Sequence, residues 1–193
     1  MRGTGRGAGA GGDVAGLYGP GSVSWRLNRE AMLLLGAGPR ALLLQIAHPL
    51  VAEGVDQHSD FRADPWRRLR GTLRGYLTIV YGTAREARDE IARLDRLHRA
   101  VAGPVLDPAA AVRFPGRYSA RDPALLLWVH ATLVDSTIVA YREWIEPLGR
   151  DADARYYAET RPIGRAFGIP AELLPGDLDA FEAYVAALLA PDG

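Results

Sequence analysis

Apolar residues recur every three to four positions along most of the chain, a spacing that is typical of amphipathic helices. Capping signals mark where several of these helices begin. Asp64-Pro65 and Asp122-Pro123 each place a carboxylate before a proline at the first helical position, and Thr83-Ala-Arg-Glu86 has the spacing of a capping box. Ser24 is a candidate cap for the first helix. These patterns predict helices over about 25–35, 39–47, 65–81, 84–101, 123–144, 152–167 and 177–189.

Glycine and proline residues divide these predicted helices. Gly36, Gly82 and Gly103 are the expected stops, and Pro49 predicts a kink, or a break and restart, in the second helix. Residues 104–121 are interrupted by Pro and Gly and are expected to form a long connection that lines a site. No segment shows convincing strand alternation. The sequence therefore predicts an all-α fold of six or seven helices.

Composition and charge are those of a single soluble domain. The chain has 193 residues, of which 48% are hydrophobic, and its formal net charge is +0, which gives no overall attraction to nucleic acid or to an anionic membrane. The longest apolar runs are shorter than the roughly 20 residues that a bilayer span needs. Residues 1–17 are rich in glycine and lack the apolar segment of a secretory signal. We therefore expect a disordered tail, followed by a cytoplasmic domain over 18–193.

Two residue types are missing, and their absence excludes several kinds of chemistry. The chain has no cysteine, which excludes disulfides, thiolate ligation of haem iron and iron–sulfur sites. All 23 basic residues are arginines, so a Schiff-base lysine is excluded as well. No G-x-S-x-G elbow is present, and a Ser-His-Asp hydrolase is therefore unsupported.

His130 lies inside the apolar run Ala124–Val134. On a helix its neighbours one turn away are Leu126, Leu127, Leu133 and Val134, so the imidazole is expected to be buried on an apolar stripe. A buried imidazole needs either a hydrogen-bond partner or a metal. The spacing alone leaves both interpretations open, a core histidine and an axial ligand.

Other polar residues offer weaker candidates. Arg68 and Thr72 are one helical turn apart and could clamp a carboxylate such as a haem propionate, or they could belong to a solvated arginine-rich face. His48 precedes Pro49 and is interpreted as a kink residue whose ring binds a free carbonyl, with a pocket role as the alternative. Asp95-x-x-His98 resembles half of a di-iron motif, but the second half that such a site requires is missing.

Several ordered segments carry a family resemblance. They are Gly19–Arg26, Gly36–Pro49, Val51–Ser59, Asp64-Pro65, Arg68-x-x-x-Thr72 and Trp128-Val-His130. In this order they resemble the MpaB-type and rubber oxygenase catalytic domains, which include the latex-clearing proteins. The resemblance extends over roughly residues 18–190.

This resemblance implies a globin-like all-α fold that holds non-covalent haem b. By the same resemblance His130 would be the iron ligand, and Arg68 and Thr72 would be haem-pocket and catalytic residues. His48 is a further candidate for cofactor binding. Characterised members of the family use O₂ to cleave carbon–carbon double bonds of isoprenoids. The expected partners are therefore O₂ and an apolar small molecule, with the electron donor left open.

The chain also departs from the pattern of latex-clearing members. Gly71 stands where those proteins carry a lysine, and the acidic residue that serves as their base has no clear equivalent, although Ala52 and Glu53 are near the expected place. The chain ends before the extra C-terminal helices associated with the family, which predicts a truncated member. A haem-binding or sensing domain without turnover is therefore the second hypothesis, and a cofactor-free helical interaction domain is the third.

Overall fold

Helices dominate the computed structural model, which describes residues 16–59 and 63–190. Within these residues the all-α prediction is confirmed, but the number of helices is nine rather than six or seven. The helices are α1 (Val23–Asn28), α2 (Ala31–Ala47), α3 (Pro49–His58), α4 (Pro65–Tyr81), α5 (Ala84–Ala100), α6 (Pro108–Arg113), α7 (Pro123–Trp144), α8 (Arg150–Ala166) and α9 (Leu178–Leu189). Residues 1–15 lie outside the described part, so the disordered tail stays a prediction.

The predicted helix starts are confirmed at four of these helices. The side chains of Asp64, Asp122 and Asp177 each accept a hydrogen bond from a backbone N–H of the first turn that follows. Thr83 and Glu86 form the complete capping box at the start of α5. Each of these caps satisfies a donor that the helix itself leaves unpaired, and for this reason it can be identified from local sequence.

The prediction was wrong for the first two helices. Ser22, not Ser24, caps the short α1, whereas α2 continues through both Gly36 and Pro39 instead of stopping and restarting there. The cause lies in α7, since a Cβ built on Gly36 would fall 1.3 Å from Cζ3 of Trp144. Gly36 therefore allows α7 to approach α2 closely, and this contact outweighs the local tendency of glycine to end a helix. The break at Pro49 is confirmed, because α3 begins there.

The predicted long connection over 104–121 contains regular structure. Strands β1 (Ala102–Pro104) and β2 (Arg117–Ser119) pair antiparallel, with Gly103 opposite Tyr118, and α6 lies between them. The prediction that no strand occurs was wrong here. Strands of three residues are too short to show an alternating pattern, so they left no signal in the sequence.

The long helix α7 lies at the centre of the fold. It packs along α2 on one side and against α8 and α9 on the other. Two apolar clusters fill these interfaces, and their buried members include Ala37, Val134, Ile138 and Phe181 in one and Leu126, Leu127, Ile169 and Leu174 in the other. Among the described helices α7 is long and apolar enough to cross a bilayer, but 67% of its most apolar window is buried inside the protein. Burial to this extent is what the central helix of a packed core requires.

Candidate functional site around His130

His130 is buried at the middle of α7, as its sequence context predicts. Its ring faces α8, where Nε2 lies against Gly164. Among the described residues nothing forms a hydrogen bond with this nitrogen, although the atom is fully buried. Buried polar atoms are nearly always paired in folded proteins, so an unpaired ring nitrogen needs an explanation.

Burial also determines the protonation state of His130. Desolvation lowers the pKa of its imidazole from 6.5 to about 4, because the charged form loses its hydration inside an apolar core. At neutral pH the ring is therefore uncharged, and one of its two nitrogens carries a free lone pair. A neutral imidazole is the form in which histidine binds metals.

The apolar stripe predicted around His130 is only partly confirmed. Leu126, Leu127 and Val134 are buried with it, but Leu133 is 41% exposed. Leu133, although one helical turn from His130, therefore lies at the surface of the protein. Leu174 lies near the ring on the side of α8, since its Cδ2 and Nε2 of His130 are 3.1 and 3.3 Å from the position of a Cβ at Gly164.

Arg68 and Thr72 lie on α4, and their side chains are exposed. The Nη1 atom of Arg68 donates a hydrogen bond to Oγ of Ser59 at 2.5 Å. Helix α4 packs against α5 and α1, whereas the ring of His130 faces α8. No hydrogen bond, ion pair or ring contact among the described residues joins Arg68 or Thr72 to His130. The structure thus shows a guanidinium that binds Ser59 and a hydroxyl one turn further along α4, but it does not bring them together with the histidine.

His48 caps the N-terminus of α3. Its Nδ1 accepts a hydrogen bond from the backbone N–H of Leu50 at 3.2 Å, so the predicted bond to a free carbonyl was wrong. Pro49 has no N–H to offer, and the ring nitrogen therefore takes the next donor along the chain. The imidazole also lies near Phe114 and Trp128, with ring centroids at 5.3 and 6.0 Å. Burial, and then the charge of Arg113, lower the pKa of His48, which favours the neutral ring that the cap requires.

Glu53 is a buried residue whose role the sequence did not reveal. Its Oε1 accepts hydrogen bonds from the backbone N–H groups of Leu106 and Asp107 at 2.8 and 2.5 Å, and its Oε2 accepts one from Gln57 at 2.6 Å. An acidic residue within an apolar stretch, Val51-Ala-Glu-Gly-Val55, was the available signal. The carboxylate holds the segment after β1 against α3, so it is occupied as a structural anchor rather than free to act as a base.

We expect Glu53→Gln to lower the free energy of unfolding by about 2 kcal/mol, because the substitution replaces a charged acceptor of three hydrogen bonds by a neutral amide. Urea unfolding without any ligand measures this loss. Glu172→Gln, at an exposed position, is the matched control and should change stability by less than about 0.5 kcal/mol. Equal effects of the two substitutions would contradict the anchoring role of Glu53.

Asp95, of the Asp95-x-x-His98 motif, is engaged in ion pairs. Asp95 pairs with Arg99 at 2.7 Å and with Arg121 at 3.1 Å, which lowers the pKa of its carboxyl group. In residues 16–59 and 63–190 there is no group of three or more His, Asp or Glu side chains that could hold a metal ion.

A family comparison identifies the kind of domain to which the chain belongs. The model of the family described as "ER-bound oxygenase mpaB/B'/Rubber oxygenase, catalytic domain" matches residues 25–193. The chain belongs to this family. No curated protein and no solved structure matches this oxygenase domain significantly. Membership of the family makes it an oxygenase catalytic domain, which implies O₂ and a small-molecule substrate.

Proposed function

We propose that this oxygenase domain holds haem b through His130 and uses O₂ to oxidise or cleave a carbon–carbon double bond of an apolar, isoprenoid-like substrate. The observation that carries the proposal is the buried, unpaired Nε2 of His130. A core histidine would be expected to have a partner for this atom, whereas an axial ligand needs its lone pair free. The family membership supports the oxygenase part of the proposal.

The residues around His130 fit a haem group chemically. The ring is neutral at physiological pH, and Leu126, Leu127 and Val134 give it the apolar surroundings that a porphyrin would need once Nε2 is accessible. Arg68 would provide the positive charge for a propionate, with the Thr72 hydroxyl beside it. His48 would contribute to the pocket through its contact with Trp128 on α7. When bound, haem would supply the reactivity toward O₂, and the protein would supply the ligand, the orientation and the exclusion of water.

The proposal predicts that haemin added to the purified chain gives a Soret band that saturates at one haem per chain. His130→Ala should abolish or shift this band, because it removes the ligand. His58→Ala is the matched control, since His58 is exposed at the end of α3, and it should leave the spectrum unchanged. The measurement is an absorption titration of oxidised and reduced protein, followed by carbon monoxide. Absence of a Soret band, or a band that His130→Ala does not alter, would overturn the proposal.

A haem-binding or sensing domain without turnover is the second candidate, and the occupied carboxylate of Glu53 favours it. Because Glu53 binds two backbone amides and Gln57, this part of α3 offers no free base. Gly71 likewise provides no side chain on α4. This second function predicts the same Soret band and O₂ binding, but no consumption of an olefin such as squalene in an oxygen-electrode assay. Consumption of the olefin would exclude it.

A further inference from the structure

The last turn of α8 covers the unpaired nitrogen of His130. A Cβ built on Gly164 would lie 3.3 Å from Nε2 and 3.4 Å from Cδ2 of the imidazole. Any atom that coordinates to Nε2 must come closer to it than a van der Waals contact. Helix α8 at Gly164 therefore packs directly against the side of the ring that carries the buried Nε2, and this nitrogen is closed to an incoming ligand.

The part of α8 before this turn is firmly attached to the rest of the domain. Asp153 pairs with Arg142 on α7. Glu159 accepts hydrogen bonds from the backbone N–H groups of Val23 and Ser24 at 3.1 and 2.7 Å. These contacts tie the first three turns of α8 to α7 and α1, so a movement that uncovers His130 would have to begin after Glu159.

The end of α8 differs from the part before it. Pro162 lies inside the helix and has no N–H, so the carbonyl of Ala158 lacks its usual helical donor. Gly164 follows two residues later, and Gly168, with φ +96°, turns the chain after the helix. The segment is attached again at Pro175, whose carbonyl accepts a hydrogen bond from the hydroxyl of Tyr157 at 2.6 Å. Residues 163–174 thus form a flap that is fixed at both ends and interrupted at Pro162.

A small apolar cluster holds this flap closed. Ile169 and Leu174 pack against Leu126 and Leu127 of α7. The four buried members of the cluster lie on α7 and in the flap, and Tyr184 of α9 packs against both this cluster and the main core. Opening would therefore break the contacts of Ile169 and Leu174 and leave the buried contacts among α2, α7 and α9 in place. Local opening of this kind costs less than global unfolding.

We infer that residues 163–174 are a gate over Nε2 of His130, which a coordinating ligand reaches only when the segment opens at Pro162. The inference rests on the proposed function for the identity of the ligand, but the gate itself can be tested without haem. Gly164 is the position that allows the gate to close, since any side chain there would meet both His130 and Leu174.

Two substitutions should change the open population of the gate in opposite directions. Gly164→Ala adds a methyl group at a packed contact and should raise the open population roughly tenfold. Pro162→Ala restores the missing backbone donor, so opening has to bend an intact helix, and we expect the open population to fall roughly threefold or more. Gly71→Ala is the matched control, because a Cβ at that exposed helical position would meet no atom within 4 Å.

The readout is the rate at which diethyl pyrocarbonate acylates His130 at pH 7, followed by peptide mass spectrometry, with exposed His58 as the internal reference. The rate of haemin uptake, followed at the Soret band, gives a second measurement. Both rates should increase in Gly164→Ala, decrease in Pro162→Ala and stay unchanged in Gly71→Ala. Urea unfolding of each variant shows whether a changed rate reflects the gate or global stability.

The outcomes separate the gate from the proposed function. Acylation of His130 at the same rate in all variants, or only at the rate of global unfolding, would overturn the gate, even if haemin binds through His130. If acylation follows the expected order while haemin gives no Soret band, the gate is supported and the haem proposal fails. Hydrogen exchange of residues 163–174 should also become faster when haemin binds, and an unchanged exchange rate in haem-loaded protein would count against the gate.

Discussion

Replacing Arg142 by methionine is expected to lower the free energy of unfolding by about 3 kcal/mol, because it leaves the carboxylate of Asp153 buried without its partner. Asp153 lies in the first turn of α8, its side chain is only 1% exposed, and Arg142 of α7 is its ion-pair partner. A buried charge without compensation is among the most costly defects in a folded protein. The loss should lie at the lower end of the range for buried pairs, because the guanidinium of Arg142 is itself 37% exposed.

The double substitution Arg142→Met with Asp153→Leu should recover most of this loss, since no charge then remains in the interface. Arg150→Met is the surface control. Arg150 pairs with Asp179 and Glu182 on α9, but these groups are solvated, so the expected loss is below about 1 kcal/mol. Urea unfolding at pH 7 gives all of these values. A loss for Arg142→Met that is no larger than that for Arg150→Met would contradict a buried charge at Asp153.

Helix starts could be predicted from the sequence because a cap depends on residues only three positions apart. Asp64, Thr83, Asp122 and Asp177 all cap the helices that their sequence context indicates. Gly36 shows the opposite case. Its role depends on the ring of Trp144, more than a hundred residues away, and no local pattern contains that information. Tertiary packing overrides the weak local preference of a single glycine.

The same distinction applies to the candidate site. Burial of His130 follows from the apolar residues one helical turn away, and the structure confirms it. The absence of a hydrogen-bond partner for Nε2 could not be predicted, because it depends on which residues of α8 pack against the ring. The association of Arg68 and Thr72 with His130 came from the family resemblance, and among the described residues no contact joins them. The anchoring role of Glu53 was missed because its partners lie 53 and 54 residues later in the chain.

An unpaired buried nitrogen has a cost for the folded protein. Leaving one buried polar group without a partner destabilises a fold by about 1–3 kcal/mol. Histidine 130 could be replaced by an apolar residue if packing were its only role. Conflicts between stability and residue choice are expected at functional positions, where activity requires a group that the core alone would not select. His130 therefore offers a test in which stability and ligand binding should change in opposite directions.

We expect His130→Leu to keep or raise stability at pH 7, by up to about 1 kcal/mol, while it abolishes haem binding. Leucine is close to histidine in volume and has no polar atom that needs a partner at this position. The haemin titration and urea unfolding of the same preparation measure both effects. A large loss of stability in this variant would mean that the His130 ring makes a structural contribution that its unpaired Nε2 does not suggest.

Acid should increase the difference in unfolding free energy between the wild type and His130→Leu. The pKa of His130 is about 4 in the folded protein and near 6.5 in the unfolded chain, so the unfolded chain takes up the proton first as the pH falls. The associated stability is fully present above pH 6.5, is lost progressively toward pH 4 and amounts to about 3 kcal/mol in total. Between pH 7 and pH 5 the wild type should therefore lose about 2 kcal/mol more than His130→Leu.

His48 and His98 also have lowered pKa values, but both proteins retain them, so their effect cancels in the difference. If urea unfolding gave the same pH dependence of stability for both proteins, burial would not hold His130 neutral. The argument that the ring has a free lone pair for a metal would then fail.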